Sequence, residues 1–478
     1  MLSGNNSILQ KATDAKSETE KGQEKEFVVL AYNSALAKKV SNNDLTPVTA
    51  ADLNTELTSQ GASADGSNPI IVTFSVSKRQ YTVNNGVVDY AGIKNGDEQN
   101  DNDLPTALGT KPYFPSDKFK QLGDTDLTNG LVITDKTENE EYGNEYVWIE
   151  VPSTAVDSTA TGGPDYTGVS GSTDYENIAT ALRTYCTKDA RGEDLITIGT
   201  SSSDSFNTTT RGNIDRWYDG SGLIASESSN TSDVTGCGLT SSQYTELYNK
   251  MLKSVYENGG FWIGRYEAGT AVAREATTDS IEGLTPLSKL NSYPINYVTC
   301  SQAQTIAGSV PNKGIYNSSL MFGIQWDLVL RHLSNKGVET SLLISDSSTW
   351  GNYYNQPFGI NRGKYSQASP WNVYIDYTKA TENKVQVEGG VSTKIGTTSA
   401  NKILLTTGAS DNNSKKNIYD LAGNVYEYTL EEASGSGYAC TLRGGSFDSD
   451  YSINPASNRI RYLTSRSYYN DGFRVALY

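Results

Sequence analysis

From residue 8 to about residue 40 the chain is dense in Ala, Lys, Glu and Gln and lacks proline, and it sets Phe27, Val28, Ala31, Tyr32 and Ala35 at helical spacing. That pattern predicts one long amphipathic helix. A second, shorter helix is predicted over 49–57, where Thr49 stands as a cap ahead of Ala50-Ala51-Asp52-Leu53. Alternation then takes over. Ile70-Ile71-Val72-Thr73-Phe74, Gln80-Tyr81-Thr82-Val83 and Gly86-Val87-Val88-Asp89-Tyr90 read as antiparallel strands, the last two joined across the turn signal Asn84-Asn85-Gly86.

Residues 94–134 are acidic, carry Asn100-Asp101-Asn102-Asp103 and Pro105, and read as a linker into a second domain. A new core is expected over 135–478, with a first strand at Tyr146-Val147-Trp148-Ile149-Glu150-Val151. Residues 153–242 are rich in Ser, Thr, Gly and Asp and read as a surface insertion. Helical spacing returns over 244–256.

Composition narrows the class. The chain has 478 residues, 36% of them apolar, with 31 Tyr, which favours α+β architecture of short strands and long polar loops over packed helices. A net charge of -16 argues against nucleic acid or an anionic membrane as partner, since phosphate contact requires clustered Lys and Arg. No stretch has the length and apolarity of a membrane span. Cys186, Cys237, Cys300 and Cys440 contain no C-x-x-C pair, so they allow two disulfides in three connectivities or four buried thiols.

Long helix, short helix and small meander over residues 1–93 resemble the globular part of a type IV pilin or pseudopilin. Leu2-Ser3-Gly4-Asn5-Asn6 is similar to the stretch that follows the hydrophobic half-helix of Gram-positive prepilin-like proteins. The resemblance implies that this half-helix has been removed, that the protein sits at the cell surface or on a pilus, and that other pilins pair with it through the N-terminal helix.

A second resemblance rests on five motifs in order: Gly259-Gly260-Phe261-Trp262-Ile263-Gly264-Arg265-Tyr266-Glu267, Gln325-Trp326-Asp327-Leu328, Ile418-Tyr419-Asp420-Leu421-Ala422-Gly423-Asn424-Val425-Tyr426-Glu427-Tyr428, Arg443-Gly444-Gly445-Ser446-Phe447 and Gly472-Phe473-Arg474-Val475. Residues 135–478 thereby resemble formylglycine-generating (sulfatase-modifying) domains, which implies a C-type-lectin-like fold. Enzymes of that family use a reactive cysteine pair between the last two motifs. No cysteine lies between Arg443 and Tyr478, and Ser, Asp or Tyr cannot supply thiolate softness, so no enzymatic activity is expected. The single histidine, His332, lies in an apolar helical stretch and reads as a packed side chain.

Asp420 and Glu427 flank a Gly-Asn turn and can converge on one hard cation, or can be ordinary acids on an exposed turn. By resemblance, the family's structural calcium site maps to Asp420, the carbonyls of Gly423 and Val425, and Glu427.

The window 448–471 carries the functional expectation. Of its 24 residues, 18 are Asn, Ser, Asp, Tyr, Thr or Ile, which lie within one adenine change of an Asn codon, and it contains no Lys, Glu, Gln, Val, Met or Trp. It resembles the variable region of a diversity-generating retroelement target protein. There, adenine-directed mutagenesis rewrites surface residues between Arg-Gly-Gly-Ser and Gly-Phe-Arg. The resemblance implies a ligand-binding face made of Asp448, Ser449, Asp450, Tyr451, Ser452, Asn454, Asn458, Ile460, Tyr462, Leu463, Thr464, Ser467, Tyr468, Tyr469, Asn470 and Asp471. Its ligands would be proteins or glycans on cells or phage. Tyr451, Tyr462, Tyr468 and Tyr469 are the expected anchors, because tyrosine gives a large amphipathic contact at low entropy cost. Phe447, Phe473, Arg474, Arg459, Arg461 and Arg466 are expected to be scaffold. A diverged oxidase and a purely structural pilus subunit are the rival expectations.

Overall fold

A computed structural model describes residues 8–67, 69–75, 77, 79–93, 104, 109–158, 174–192, 236–311, 316–381, 383–433 and 439–478. The fold class is α+β, with helices and antiparallel sheets in both of the units into which the chain divides.

The N-terminal unit is built mainly from Met1–Leu104. Its long helix is Ile8–Ser41, with Lys38 and Lys39 in the last turn, where cations suit the helix dipole. The short helix Ala50–Leu57 begins on a capping box in which Thr49 and Asp52 satisfy each other's backbone N–H groups. Strands Ala62–Asp65, Ile70–Phe74, Arg79–Asn84 and Val87–Ile93 form an antiparallel meander in sequence order. Asn85 and Gly86 both have positive φ, as a two-residue hairpin turn requires.

Ala62–Asp65 is the strand that the hydrophobic pattern does not announce. Its Ala64 is held by one side chain: Asn54 Nδ2 donates to the Ala64 carbonyl at 2.8 Å, and Asn54 Oδ1 accepts from its N–H at 2.6 Å. Val28, Ala31 and Ala35 from the long helix meet Leu53, Leu57, Val72, Phe74 and Tyr81 in this unit's core.

The C-terminal unit comprises Pro105–Pro112, Asp124–Asn312 and Tyr316–Tyr478. Five of its strands lie side by side in the order Ser318–Leu320, Val475–Leu477, Gly260–Gly264, Glu145–Glu150 and Val132–Thr134. The last strand of the chain is thus sealed between two earlier ones. Helix Ser241–Asn258 starts on a Thr240–Gln243 capping box and stops at Gly259, whose φ of 71° turns the chain into Gly260–Gly264. Of the predicted insertion 153–242, residues 159–173 and 193–235 lie outside the described ones, and the described part includes helix Asp174–Tyr185.

A second sheet positions the window. Its order is Arg459–Tyr462, Cys440–Arg443, Tyr426–Glu432 and Asp471–Phe473, with the last strand parallel to Tyr426–Glu432. Register sets Arg443 opposite Arg459 and Tyr426 opposite Asp471. All four cysteines are buried.

Candidate functional site

The window 448–471 is a surface ribbon fixed by its own main chain. The carbonyl of Asn454 accepts from Tyr353 Oη at 2.8 Å, that of Ala456 from Trp326 Nε1 at 3.0 Å, and that of Asn458 from Arg443 Nε at 3.0 Å. Further along, the carbonyl of Thr464 accepts from the Cys300 N–H at 3.1 Å and that of Tyr468 from the Tyr297 N–H at 2.9 Å. The carbonyl of Tyr469 accepts from Asn296 Nδ2 at 2.8 Å. Every donor in this set lies outside the window. These bonds do not depend on which side chains the window carries.

The two flanking motifs are buried ion pairs. Arg443 donates to Asp327 Oδ1 at 3.0 Å and Glu431 Oε2 at 2.9 Å. Arg474 donates through Nη2 to Glu427 Oε1 at 2.7 Å and through Nε to Glu427 Oε2 at 3.2 Å. Desolvated pairs of this kind are costly to break singly.

Ser449, Asn458, Leu463, Thr464 and Asp471 are buried, so they are not part of an open contact surface. The tethers above draw the chain inward at 455–459 and at Thr464, and Asp471 enters the sheet. Ser452 and Tyr468 are exposed, and Asp448, Asp450, Tyr451, Asn454, Ile460, Tyr462, Ser467, Tyr469 and Asn470 are half-buried beside them. Ile453, 47% exposed, belongs to this surface although sequence reasoning left it out. Its neighbours Ser452 and Asn454 were the signal.

The first arm of the ribbon, residues 448–454, is organised by two carboxylates. Asp448 accepts from Ser446 Oγ at 2.8 Å, Asn470 Nδ2 at 3.0 Å and Tyr469 Oη at 3.0 Å. Asp450 closes a tight turn by accepting from the N–H and Oγ of Ser452, which holds its carboxyl below the usual carboxylate range despite partial burial. Tyr469 stacks obliquely with Phe447 and Trp371 at centroid distances of 5.9 and 5.7 Å.

The second arm, residues 459–471, borders a half-open cavity of about 320 Å³. Leu442 and Ile460 from adjacent strands line it together with Tyr426, Tyr462, Tyr468, Tyr469, Asn470, Arg466 and Asp471. On the strand Arg459–Tyr462 the two-residue period turns Ile460 and Tyr462 toward this cavity and Arg459 toward the buried carboxylates. Burial pushes the Asp471 carboxyl up to about 7, partly offset by hydrogen bonds from the Tyr462 hydroxyl and the Tyr468 N–H. Tyr426 and Leu442 lie outside the window. Their alternation on strands was the only available signal.

Arg466 departs from its expected scaffold role. It is exposed at the cavity mouth, its guanidinium 5.7 Å from the Tyr468 ring centroid. Arg459 keeps that role.

At the Gly-Asn turn, Gly423 and Asn424 both have positive φ, and a Cβ on Gly423 would stand 2.4 Å from the Asn352 carbonyl oxygen. Asp420 and Glu427 are each 1% exposed, so they are not acids on an exposed turn. Asp420 accepts from the Gly408 N–H at 3.0 Å and Asn413 Nδ2 at 3.2 Å. Glu267, which the sequence shows only as the end of the first motif, joins them and accepts from the Val425 N–H at 3.0 Å and Asn424 Nδ2 at 2.6 Å. Burial raises the Glu267 carboxyl well above its ordinary value, and the nearby Asp420 and Glu427 add to the effect. As placed, this donor set does not fit a calcium ion. Both Glu427 oxygens face the Arg474 guanidinium, whose charge a cation would have to displace.

His332 is 2% exposed, and its Nδ1 accepts from the Glu150 N–H at 3.0 Å. Desolvation lowers its pKa to about 3, so the ring is neutral. Cys440, the cysteine nearest the window, is buried with Sγ 3.2 Å from the Tyr462 carbonyl oxygen.

No protein-family model matches the chain, and no curated protein matches it.

Proposed function

We propose that this is a non-enzymatic, surface-displayed binding protein. A pilin-like N-terminal unit joins it to a filament or envelope, and a C-type-lectin-like C-terminal unit presents a face diversified by a retroelement. The observation that carries the reading is the tethering of 454–469 through main-chain carbonyls to donors outside the window. A loop can change side chains freely only if its backbone is held by something else. Here that something is a set of side chains and N–H groups in the preceding sequence.

Chemistry at the face agrees with binding. Tyr451, Tyr462, Tyr468 and Tyr469 supply amphipathic area, and Asp, Ser and Asn supply adaptable hydrogen bonds. A catalytic reading gains no support from the thiols, which are buried, or from a histidine kept neutral by burial. The ligands belonging to such a face are proteins or glycans on cells or phage, with other pilins as partners of the N-terminal helix.

Sequencing the gene from many cells of one lineage tests the proposal. Substitutions should cluster at the exposed and half-buried window positions and spare Arg443, Arg459 and Arg474. Substitutions scattered evenly along the chain would sink it.

A further inference from the structure

We propose that the cavity of the second arm is a subsite for an organic ammonium group, with tyrosine rings as its walls and the Asp471 carboxylate as its counter-ion. This rests on the reading of the window as a binding face and names the chemistry of one part of it.

Aromatic lining is the first argument. Tyr426, Tyr462, Tyr468 and Tyr469 all line the cavity, and the Tyr462 and Tyr468 rings meet nearly edge to face at 6.4 Å. Ring faces carry negative electrostatic potential, so several of them around one space favour a cation, most of all one too weakly hydrated to prefer water. At about 320 Å³ the cavity is at the small end of ligand sites, suited to a head group and not to a whole oligosaccharide.

Charge is the second. Asp471 is 1% exposed, lines the same cavity and forms no salt bridge among the described residues. Its hydrogen bonds come from neutral donors, the Tyr468 N–H at 3.2 Å and the Tyr462 hydroxyl. A buried carboxylate with only neutral partners is an electrostatic deficit that a bound cation removes. Arg466 is the local competitor. It is exposed at the mouth, over the Tyr468 ring, and does not reach ion-pair distance of Asp471. An anion attracted by Arg466 would have to sit near both Asp471 and Asp448.

Calorimetric titration of the full chain with choline, with Nε-trimethyl-lysine amide, with the neutral isostere 3,3-dimethylbutan-1-ol and with acetate tests this. Either cation should bind at least tenfold more tightly than the isostere. Preference for choline points to a head group as source, and preference for the lysine derivative to a protein side chain. Asp471→Asn should abolish the cation preference. Should that variant fail to fold, Tyr468→Leu, at a 44% exposed ring, should weaken both cations at least fivefold. Equal binding of cation and isostere, tighter binding of acetate, or indifference to Tyr468→Leu overturns the proposal. Lineage sequencing separates the two claims. A clustered window without ammonium binding removes only the subsite, whereas ammonium binding in an evenly varying gene removes only the diversification.

Discussion

Arg443 and Arg459 share the same two carboxylates. Arg459 lies 2.6 Å from both Asp327 Oδ2 and Glu431 Oε1, while Arg443 takes the other oxygen of each at 3.0 and 2.9 Å. The four charges form a closed ring in which no member is more than 5% exposed. One arginine belongs to the motif before the window and the other lies inside the window, so the ring fastens the ribbon at its middle.

Removing one cation leaves the two carboxylates sharing a single partner in a buried site. Arg459→Met is therefore expected to lower unfolding free energy by roughly 3–5 kcal/mol. Arg466→Ala, at an exposed side chain, should stay within about 0.5 kcal/mol. Urea denaturation of both variants checks the contrast. A near-neutral Arg459→Met would mean that the ring is not what fastens the ribbon.

Asp471 makes stability depend on pH. Its folded carboxyl titrates at about 7 against an ordinary 3.8, because burial disfavours the charged form. Below 3.8 both states hold the proton and this group imposes no penalty. As pH rises from about 4, the unfolded chain releases its proton first and stability falls, levelling off above about 7. Tyr426, Tyr428, Tyr462, Tyr468, Tyr469, Asp448 and Arg466 are the polar or charged groups around it. Thermal melts between pH 4.5 and 8 should show a decline that Asp471→Asn reduces. An unchanged slope in the variant would rule out Asp471 as its source.

Lys394 occupies a cage of main-chain oxygens. Its three N–H donors are shared among the carbonyls of Tyr353, Tyr354, Gln356 and Gly396, whose oxygens lie 3.0, 2.8, 2.7 and 2.7 Å from Nζ. Lys394→Met fills similar volume but leaves several buried acceptors unsatisfied, each worth about 1–3 kcal/mol. A loss of at least about 3 kcal/mol is expected in chemical denaturation. Because Tyr353 also holds the Asn454 carbonyl, hydrogen exchange around 450–456 should quicken.

The Glu427–Arg474 pair predicts the response to metal. If the guanidinium already neutralises the turn, millimolar calcium and a chelator should give the same melting temperature. A calcium-dependent rise of several degrees would show that Arg474 moves aside. Arg474→Gln should be strongly destabilising in either medium, since it strands Glu427 beside Glu267 and Asp420.

The hydrophobic pattern determined by itself what depends on neighbours in the chain. The two N-terminal helices, the Asn85-Gly86 hairpin and the helix before Gly259 follow from helical spacing and turn chemistry; the first three stand where the sequence placed them, and the last begins at Ser241, ahead of the expected 244, on the Thr240–Gln243 cap. Composition also marked 448–471 as polar and tyrosine-rich. Tertiary structure alone decided which of those residues face outward. Leu463 and Thr464 turn in because the Thr464 carbonyl pairs with Cys300, Asp471 becomes the buried wall of a cavity because it enters the sheet beside Tyr426, and Arg466 stands exposed while Arg459 is locked in a ring. Those choices are made by partners more than a hundred residues away or on neighbouring strands, and residue type alone carries no information about such partners.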